Sequence, residues 1–268
     1  MFKRWNLLYR WMGIFMVIFE SGQSTASEST QKTNPVKSSG KILVVMTNHA
    51  TYPSRSDTTG LWLTELTHFY DVAQAAGYDM DFVSPQGGTV PLDERSLKSI
   101  YMDASAKAHL ADPNFVQRLN TTLAPNTIDP AHYQAVYYTG GHGTMWDFPN
   151  NQALQKISEK IYQQGGIVSA VCHGVGGLLP LKKQNGQPLI AGRTVTGFAN
   201  IEEVLSGIKS QVPFSLQNNL IQRGAQYKRG FFPFTSYVIS DDRIITGQNP
   251  QSSKEVAEAV IKRLKSLK

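Results

Sequence analysis

Cysteine is almost absent from this sequence. The 268 residues contain a single cysteine, Cys172. One cysteine cannot form an internal disulfide, so cysteine usage does not identify the compartment in which the protein works. The chain is 41% hydrophobic, which is enough for one large α/β domain with a proper core.

The sequence also lacks blocks of like charge. Its 26 Lys and Arg residues against 20 Asp and Glu residues give a formal net charge of +6, and the basic residues are scattered without interleaved aromatics. Nucleic-acid-binding proteins normally concentrate their basic residues in a patch or stripe. We therefore expect no nucleic-acid partner.

The apolar run near the N-terminus is too short to span a membrane comfortably. It covers residues 11–19, follows the basic residues Lys3, Arg4 and Arg10, and precedes small residues at 24–26. A basic flank, a short apolar segment and a small-residue site are typical of a secretory signal peptide. No cysteine lies near this site, so a lipid-modified N-terminal cysteine is excluded.

We therefore divide the chain into a signal peptide (1–26), a flexible linker (27–40) and one domain (41–268). The predicted location is periplasmic or secreted rather than cytoplasmic, with no stable membrane insertion after cleavage. An uncleaved anchor is the alternative, because apolar residues at 7–9 extend the run. Arg10 interrupts that extension, which favours cleavage.

Strand-like and helix-like segments alternate along the domain. β-Branched apolar runs predict buried strands, and apolar residues at helical spacing predict helices. Their alternation predicts an α/β fold, a doubly wound, flavodoxin-like, mostly parallel sheet sandwiched by helices, with ligands at the carboxyl ends of the strands. The predicted strands are 41–46, 78–84, 133–138, 167–171, 193–196 and a hairpin at 237–246, and the predicted helices are 60–76, 114–123, 151–164 and a last helix capped by Ser253.

A short stretch, Ile167 to Gly177, resembles a nucleophile elbow. An apolar strand runs into Cys172, and glycine-rich chain follows at once. Such a turn exposes the nucleophile and frees the next backbone N–H, here of His173, to stabilise an oxyanion. A helix after the turn would lower the pKa of the thiol through its positive N-terminal end. The alternative is a buried cysteine that packs as a small hydrophobe.

Two further candidates lie near the carboxyl ends of other predicted strands. Glu65 is in the first turns of the predicted helix 60–76, where an inward-facing carboxyl would have a raised pKa and could hold a proton near the thiol. The alternative is a solvated glutamate at a helix N-terminus. Gly141, in the glycine cluster that follows strand 133–138, could supply a second oxyanion donor, whereas a phosphate-binding or plain tight turn is the alternative.

The motifs of the domain resemble the DJ-1/PfpI superfamily, which has a class I glutamine amidotransferase-like fold, and within it the Hsp31-like glyoxalase III branch. They are AVCHG at 170–174, GGHGTMWDFP at 140–149, TGF at 196–198 followed by Glu203, and ITGQNP at 245–250. The resemblance implies that Cys172 is the nucleophile, His173 its base, Glu203 the acid that orients the histidine, and Glu65 a buried glutamate that hydrogen-bonds the cysteine. It also implies oxyanion or substrate-binding positions at Gly141, His142 and Gly174. Glu202, beside Glu203, leaves the third role open.

The resemblance implies a lyase that converts methylglyoxal, a 2-oxoaldehyde, to lactate without glutathione, metal or other cofactor. Dimers are usual in this family, so a homodimer is compatible with it. The alternatives are an amidase or peptidase using the same residues, a holding chaperone or protein deglycase, and a redox sensor. A chaperone needs an exposed apolar patch, and the candidate segment 231–234 is expected to be buried core instead.

Metal binding is a further alternative, through His49, His142 or His173. Their spacing resembles no known metal site, so we expect none.

Overall fold

The computed structural model describes residues 38–267. The predicted signal peptide, 1–26, and most of the predicted linker, 27–37, lie outside the described residues, and both stay predictions. Among the residues described, none of the helices combines the length and the hydropathy needed to cross a bilayer.

A six-stranded sheet forms the centre of the domain. Its strands follow the order β2-β1-β3-β4-β8-β7, and every neighbouring pair is parallel except β7 and β8, which form the predicted hairpin. The strands are β1 (Gly40–Val45), β2 (Tyr78–Val83), β3 (Ala135–Tyr138), β4 (Ile167–Val171), β7 (Val238–Asp241) and β8 (Ile244–Gly247). Strands β3 and β4 are buried along their whole length, which explains their continuous apolar sequences.

The predicted strand at 193–196 exists but does not join the central sheet. It is β5 (Thr194–Val195), and it pairs in parallel with β6 (Gln226–Tyr227) in a separate two-stranded sheet. A two-residue strand carries no information about its partner, so the sequence could not assign it to a sheet.

Helices cover both faces of the central sheet, as predicted. The α-helices are α1 (Leu63–Ala75), α2 (Ala104–Ala111), α3 (Pro113–Asn120), α4 (Thr144–Asp147), α5 (Gln152–Gln163), α6 (Asn200–Leu205), α7 (Leu216–Gln222) and α8 (Ser253–Ser266). The crossover from β1 through α1 to β2 runs in one direction along the sheet, and that from β3 through α5 to β4 runs in the other. Because such crossovers are right-handed, α1 and α5 lie on opposite faces, and the doubly wound fold is confirmed.

Two differences from the predicted helices are informative: one helix that was not predicted and one N-cap that is shifted by a residue. Helix α2 was not predicted, because Ala106 is its one buried residue and apolar periodicity is therefore weak. Its start is set instead by the Asp103 carboxylate, which accepts a hydrogen bond from the Ala106 backbone N–H at 2.9 Å. The N-cap of α8 is Ser252, and Ser253 is the first helical residue.

The strand order places three candidate residues at one edge of the sheet. The order in which successive strands are added to the sheet reverses between β1 and β3, and ligands bind at such a reversal. Glu65 lies in the helix after β1, Gly141 follows β3, and Cys172 follows β4, so all three meet at the carboxyl ends of neighbouring strands.

Candidate active site

Cys172 occupies a strained turn directly after β4. Its φ angle is 55°, in the left-handed region that non-glycine residues rarely adopt. The chain then continues as a 3-10 helix, Cys172–Leu178, and not as an α-helix. The predicted elbow is therefore present, but the helix that follows it is a short 3-10 helix, so its macrodipole is weak.

Gly174 explains how closely this elbow packs against its neighbour. A Cβ atom at Gly174 would overlap the Thr139 carbonyl oxygen at the end of β3. Gly174 is buried and is not among the residues that line the cavity above Cys172. The structure therefore shows a packing role for Gly174, and its role in oxyanion or substrate binding stays a prediction.

Cys172, His173 and Glu203 form a hydrogen-bonded line, as the resemblance implied. Cys172 Sγ lies 3.3 Å from His173 Nδ1, and His173 Nε2 lies 2.7 Å from Glu203 Oε2. All three side chains are buried. Burial alone would raise the pKa of Glu203, but His173 and the second histidine bonded to it hold that pKa well below its ordinary value. Glu203 is therefore an anion that holds His173 with Nδ1 toward the thiol.

The choice between Glu202 and Glu203 is settled by the direction of each side chain. Adjacent residues on α6 point to different sides, and only Glu203 of the two reaches His173. Glu202 Oε1 accepts hydrogen bonds from the Phe234 backbone N–H at 2.7 Å and from Asn249 Nδ2 at 2.8 Å. Glu202 therefore fixes the loop that carries Phe234.

His142 is a partner of Glu203 as well as a lining residue of the cavity. Its Nε2 lies 2.9 Å from Glu203 Oε1, and its ring lies 4.1 Å from the His173 ring, centroid to centroid. Burial and the neighbouring His173 lower the pKa of His142 to about 4, so it is neutral at neutral pH. Arg95 Nη2 donates to His142 Nδ1 at 2.6 Å, which leaves the proton on Nε2 to be donated to Glu203.

Arg95 and Asp93 were not predicted from the sequence as site residues. Asp93 is fully buried and binds Arg95 through both carboxylate oxygens, at 3.0 Å to Nε and 2.7 Å to Nη2. This pair fixes the guanidinium against His142. The sequence offered one signal, which is that Asp93 and Arg95 lie two residues apart in the long connection between the predicted strands 78–84 and 133–138. On its own this pattern predicts a turn.

Glu65 lies on the other side of the thiol and is fully buried. Its Oε2 accepts a hydrogen bond from the Gly140 backbone N–H at 2.6 Å. Burial raises the pKa of Glu65 to about 8, and the hydrogen bonds with Cys172 and Gly140 offset this only in part. The inward-facing prediction is confirmed, and the carboxyl carries a proton at neutral pH that it can donate to the sulfur of Cys172.

The expected lowering of the thiol pKa is wrong. Burial raises the pKa of Cys172 well above its ordinary value, and a charged Glu65 would raise it further, while the backbone N–H of His173 lowers it. The short 3-10 helix does not reverse the effect of burial. The Cys172 side chain is therefore a protonated thiol at neutral pH.

The turn after β3 brings backbone close to Cys172. A Cβ atom at Gly140 would lie 2.5 Å from Glu65 Oε2 and 2.8 Å from Cys172 Cβ, so only glycine fits there. Gly141 has a φ angle of 97° and lines the cavity. Its predicted role as second oxyanion donor stays a prediction.

A cavity of about 610 Å³ opens above the thiol. It is lined by Trp62, Arg95, Lys98, Ile100, Tyr101, Gly141, His142, Cys172, His173, Phe198, Leu205, Ser206, Phe234, Pro250 and Gln251. The expectation that segment 231–234 is buried core is wrong, since Phe231 is 86% and Phe232 64% exposed. The Phe234 backbone N–H of this loop is held by Glu202, and Phe234 lines the cavity.

Within residues 38–267, His142, His173 and Glu203 form the cluster that could hold a metal ion, with ligand atoms within 4.8 Å of one another. His49 does not belong to it and stacks on Trp146, with ring centroids 4.5 Å apart. Both histidine Nε2 atoms already bond to Glu203, so the carboxylate is satisfied without a cation.

The chain matches a known protein family over most of its length. Residues 58–263 match the model of the DJ-1/PfpI family. The glutathione-independent glyoxalase HSP31 of Saccharomyces cerevisiae is 31% identical, over 84% of this chain and 98% of its own length.

Two solved structures cover the same region. Glyoxalase III from Candida albicans is 32% identical with a TM-score of 0.78, over 84% of this chain and 97% of that chain. The Rapid Encystment Protein 24 kDa of Francisella tularensis is 39% identical with a TM-score of 0.80, over 84% and 99% respectively. The chain therefore belongs to the DJ-1/PfpI family, and its similarity extends over almost the whole length of these proteins.

Proposed function

We propose that this protein is a glutathione-independent glyoxalase, a lyase of the glyoxalase III type that converts methylglyoxal and water to lactate. The observation that carries the proposal is the line from Cys172 Sγ through His173 to Glu203 at the base of the cavity. The names of the relatives from Saccharomyces cerevisiae and Candida albicans support this function over an amidase or a chaperone.

The first step is addition of the thiol to the aldehyde. His173 takes the proton of Cys172 through Nδ1, 3.3 Å from the sulfur, and the sulfur forms a bond to the aldehyde carbon. The resulting oxyanion lies near the backbone N–H groups of His173 and Gly141 and takes a proton to give a hemithioacetal. Loss of one such donor typically costs about 3 kcal/mol of barrier.

The second step is an internal oxidation and reduction. A proton leaves the carbon bonded to sulfur and returns to the neighbouring carbonyl carbon through an enediol, carried by His173. The first carbon is thereby oxidised to a thioester and the second reduced to an alcohol, so no external oxidant is required. Water then attacks the thioester carbon, the carbon–sulfur bond breaks, and lactate leaves as the thiol regains its proton.

Glu203 and Glu65 serve this cycle in different ways. Glu203, as an anion, stabilises the charged imidazolium that His173 becomes after it accepts the proton. Glu65, as a neutral acid, donates a hydrogen bond to the sulfur, which favours the thiolate although the site is buried.

The test is lactate formation from methylglyoxal by the purified protein without glutathione. We expect wild type to form lactate and Cys172→Ala to lose turnover by at least about 10³-fold, because the covalent step is removed. Ser266→Ala, an exposed change on α8, is the matched control and should retain activity. A folded Cys172→Ala protein that still forms lactate would contradict the mechanism.

We further propose that the protein acts outside the cytoplasm after removal of residues 1–26. The basic flank, short apolar run and small-residue site support this. Cell fractionation with N-terminal sequencing of the purified protein tests it. A cytoplasmic protein that begins at Met1 would overturn it.

A further inference from the structure

The cavity above Cys172 is much larger than methylglyoxal. At water's share of about 30 Å³ per heavy atom, methylglyoxal fills on the order of 150 Å³. The cavity measures about 610 Å³ and lies in the range of pockets that hold larger ligands. Most of the space would therefore be left to water if the aldehyde carried only a methyl group.

The unfilled part of the cavity has apolar walls. Trp62 and Tyr101 stand edge to face on one side, with ring centroids 5.0 Å apart. At the mouth, Ile100 is 79% and Leu205 57% exposed, although both are aliphatic. Exposed apolar side chains that converge on one concave site normally mark a surface that a ligand covers. An aromatic or branched aliphatic group on the substrate would fill this space and remove these side chains from water.

The outer part of the cavity carries one cation without an ion-pair partner among the described residues, Lys98. Among the described residues that line it, two are cations, Arg95 and Lys98, and none is a carboxylate. The Arg95 charge is balanced by buried Asp93. Lys98 forms no ion pair within residues 38–267 and lies in the exposed turn that precedes Ile100. The outer part of the cavity therefore favours a negative group on the ligand.

We infer that the preferred substrate of this site is a 2-oxoaldehyde with a bulky apolar substituent, of the size of an aryl ring, whose far end carries an anionic group beside Lys98. The inference rests on the proposed function and names its substrate class. The aldehyde carbon is placed at Cys172, the apolar group lies between Trp62 and Leu205, and the anion lies at the mouth. The product is the corresponding 2-hydroxy acid, formed with the same atom balance as lactate.

The experiment compares kcat/KM for methylglyoxal, phenylglyoxal and 4-carboxyphenylglyoxal, each corrected for the rate with Cys172→Ala. We expect phenylglyoxal to exceed methylglyoxal by about 10-fold or more, because a ring contributes more than the 10-fold minimum of a single methylene. The carboxylate should add a further factor of about 3, and this factor should shrink as ionic strength rises.

Matched variants separate the cavity from intrinsic reactivity of the aldehydes. Lys98→Gln should abolish the carboxylate preference, whereas Lys209→Gln, at an exposed lysine that does not line the cavity, should not. Leu205→Ala should reduce the ratio of kcat/KM for phenylglyoxal to that for methylglyoxal by about 3-fold. Ile221→Ala, which is 50% exposed on α7, should leave that ratio unchanged.

Failure of this inference can be distinguished from failure of the proposed function. Equal or lower kcat/KM for phenylglyoxal, with methylglyoxal turned over, would overturn the substrate class and leave the glyoxalase activity standing. A preference for phenylglyoxal that is unchanged in Leu205→Ala, or a preference for 4-carboxyphenylglyoxal that is unchanged in Lys98→Gln, would also overturn it. No turnover of any of the three aldehydes by folded protein would overturn the proposed function and the inference with it.

Discussion

Two glutamates flank the same cysteine and are held in opposite protonation states. On one side, Glu65 has no cation beside it among the described residues, accepts a hydrogen bond from the Gly140 backbone N–H, and has a pKa raised to about 8. On the other side, Glu203 accepts hydrogen bonds from His173 and His142 at 2.7 and 2.9 Å, and its pKa is lowered. Both carboxyls are buried, so burial alone does not decide the outcome.

The difference between the two sides comes from the chain of charged partners behind Glu203. Asp93 fixes Arg95, Arg95 fixes the tautomer of His142, and His142 donates its remaining proton to Glu203. No comparable chain reaches Glu65 among the described residues. The two carboxyls can therefore perform an acid role and an anion role at one pH, as pairs of carboxyls in other active sites do.

The largest loss of kcat is expected when the Glu203 carboxylate is neutralised. Glu203→Gln keeps the shape of the side chain but removes the charge that stabilises the His173 imidazolium, and kcat should fall by about 10³-fold. Steady-state kinetics with methylglyoxal measure it, with Glu258→Gln on the exposed face of α8 as control. Activity within a few fold of wild type would show that Glu203 need not be charged.

Replacing His142, which donates a hydrogen bond to Glu203, should lower kcat less than neutralising Glu203 does. His142→Leu deletes the donor to Glu203 Oε1 and leaves Arg95 without its acceptor, so we expect kcat to fall by about 30-fold. His142→Gln, which can accept from Arg95 and donate to Glu203, should restore most of it. A positioning role also predicts a shifted pH profile of kcat/KM in His142→Leu, and an unshifted profile with equal loss in both variants would contradict it.

The same change from glutamate to glutamine should be tolerated at Glu65. Glu65→Gln replaces a neutral acid by a neutral amide that can still accept from Gly140 and donate to Cys172, so kcat at neutral pH should fall by less than about 10-fold. Comparison with Glu203→Gln under identical conditions makes this a direct test of the asymmetry. Equal losses in the two variants would show that both glutamates act as anions.

The smallest effect concerns stability and its dependence on pH. The pKa of Glu65 is raised from an ordinary 4.5 to about 8, so between these values the folded protein binds more protons than the unfolded chain. The contribution of Glu65 to stability is complete below about pH 4.5 and declines as pH rises toward about 8, by at most about 1.4 kcal/mol per pH unit.

The measurement is the difference in free energy of unfolding between wild type and Glu65→Gln as a function of pH. Subtraction of the variant removes the other titrating groups, such as Asp147, whose pKa burial raises to about 6. We expect wild type to lose stability relative to the variant as pH rises. Parallel curves would mean that Glu65 is ionised throughout.

The sequence-based predictions succeed where a local pattern carries the information. The apolar run before Cys172 places it at the end of a strand, and the helical periodicity of 60–76 places Glu65 in the first turns of a helix. The alternation of strands and helices places both at one edge of the sheet. The predictions were incomplete or wrong where partners come from distant segments. Arg95 meets His142 across 47 residues of chain, and Glu202 holds the Phe234 backbone N–H from 32 residues away.

The sequence by itself determined the doubly wound fold, the position of Cys172 and His173 at the turn after a strand, and the family, because strand periodicity and short motifs are local properties of the chain. Only the tertiary structure decided which of Glu202 and Glu203 reaches the histidine, which carboxyl keeps its proton, and that burial raises the pKa of the thiol. Those properties depend on the burial and the charges that surround each group. They arise only when segments far apart in the sequence enclose the same few atoms.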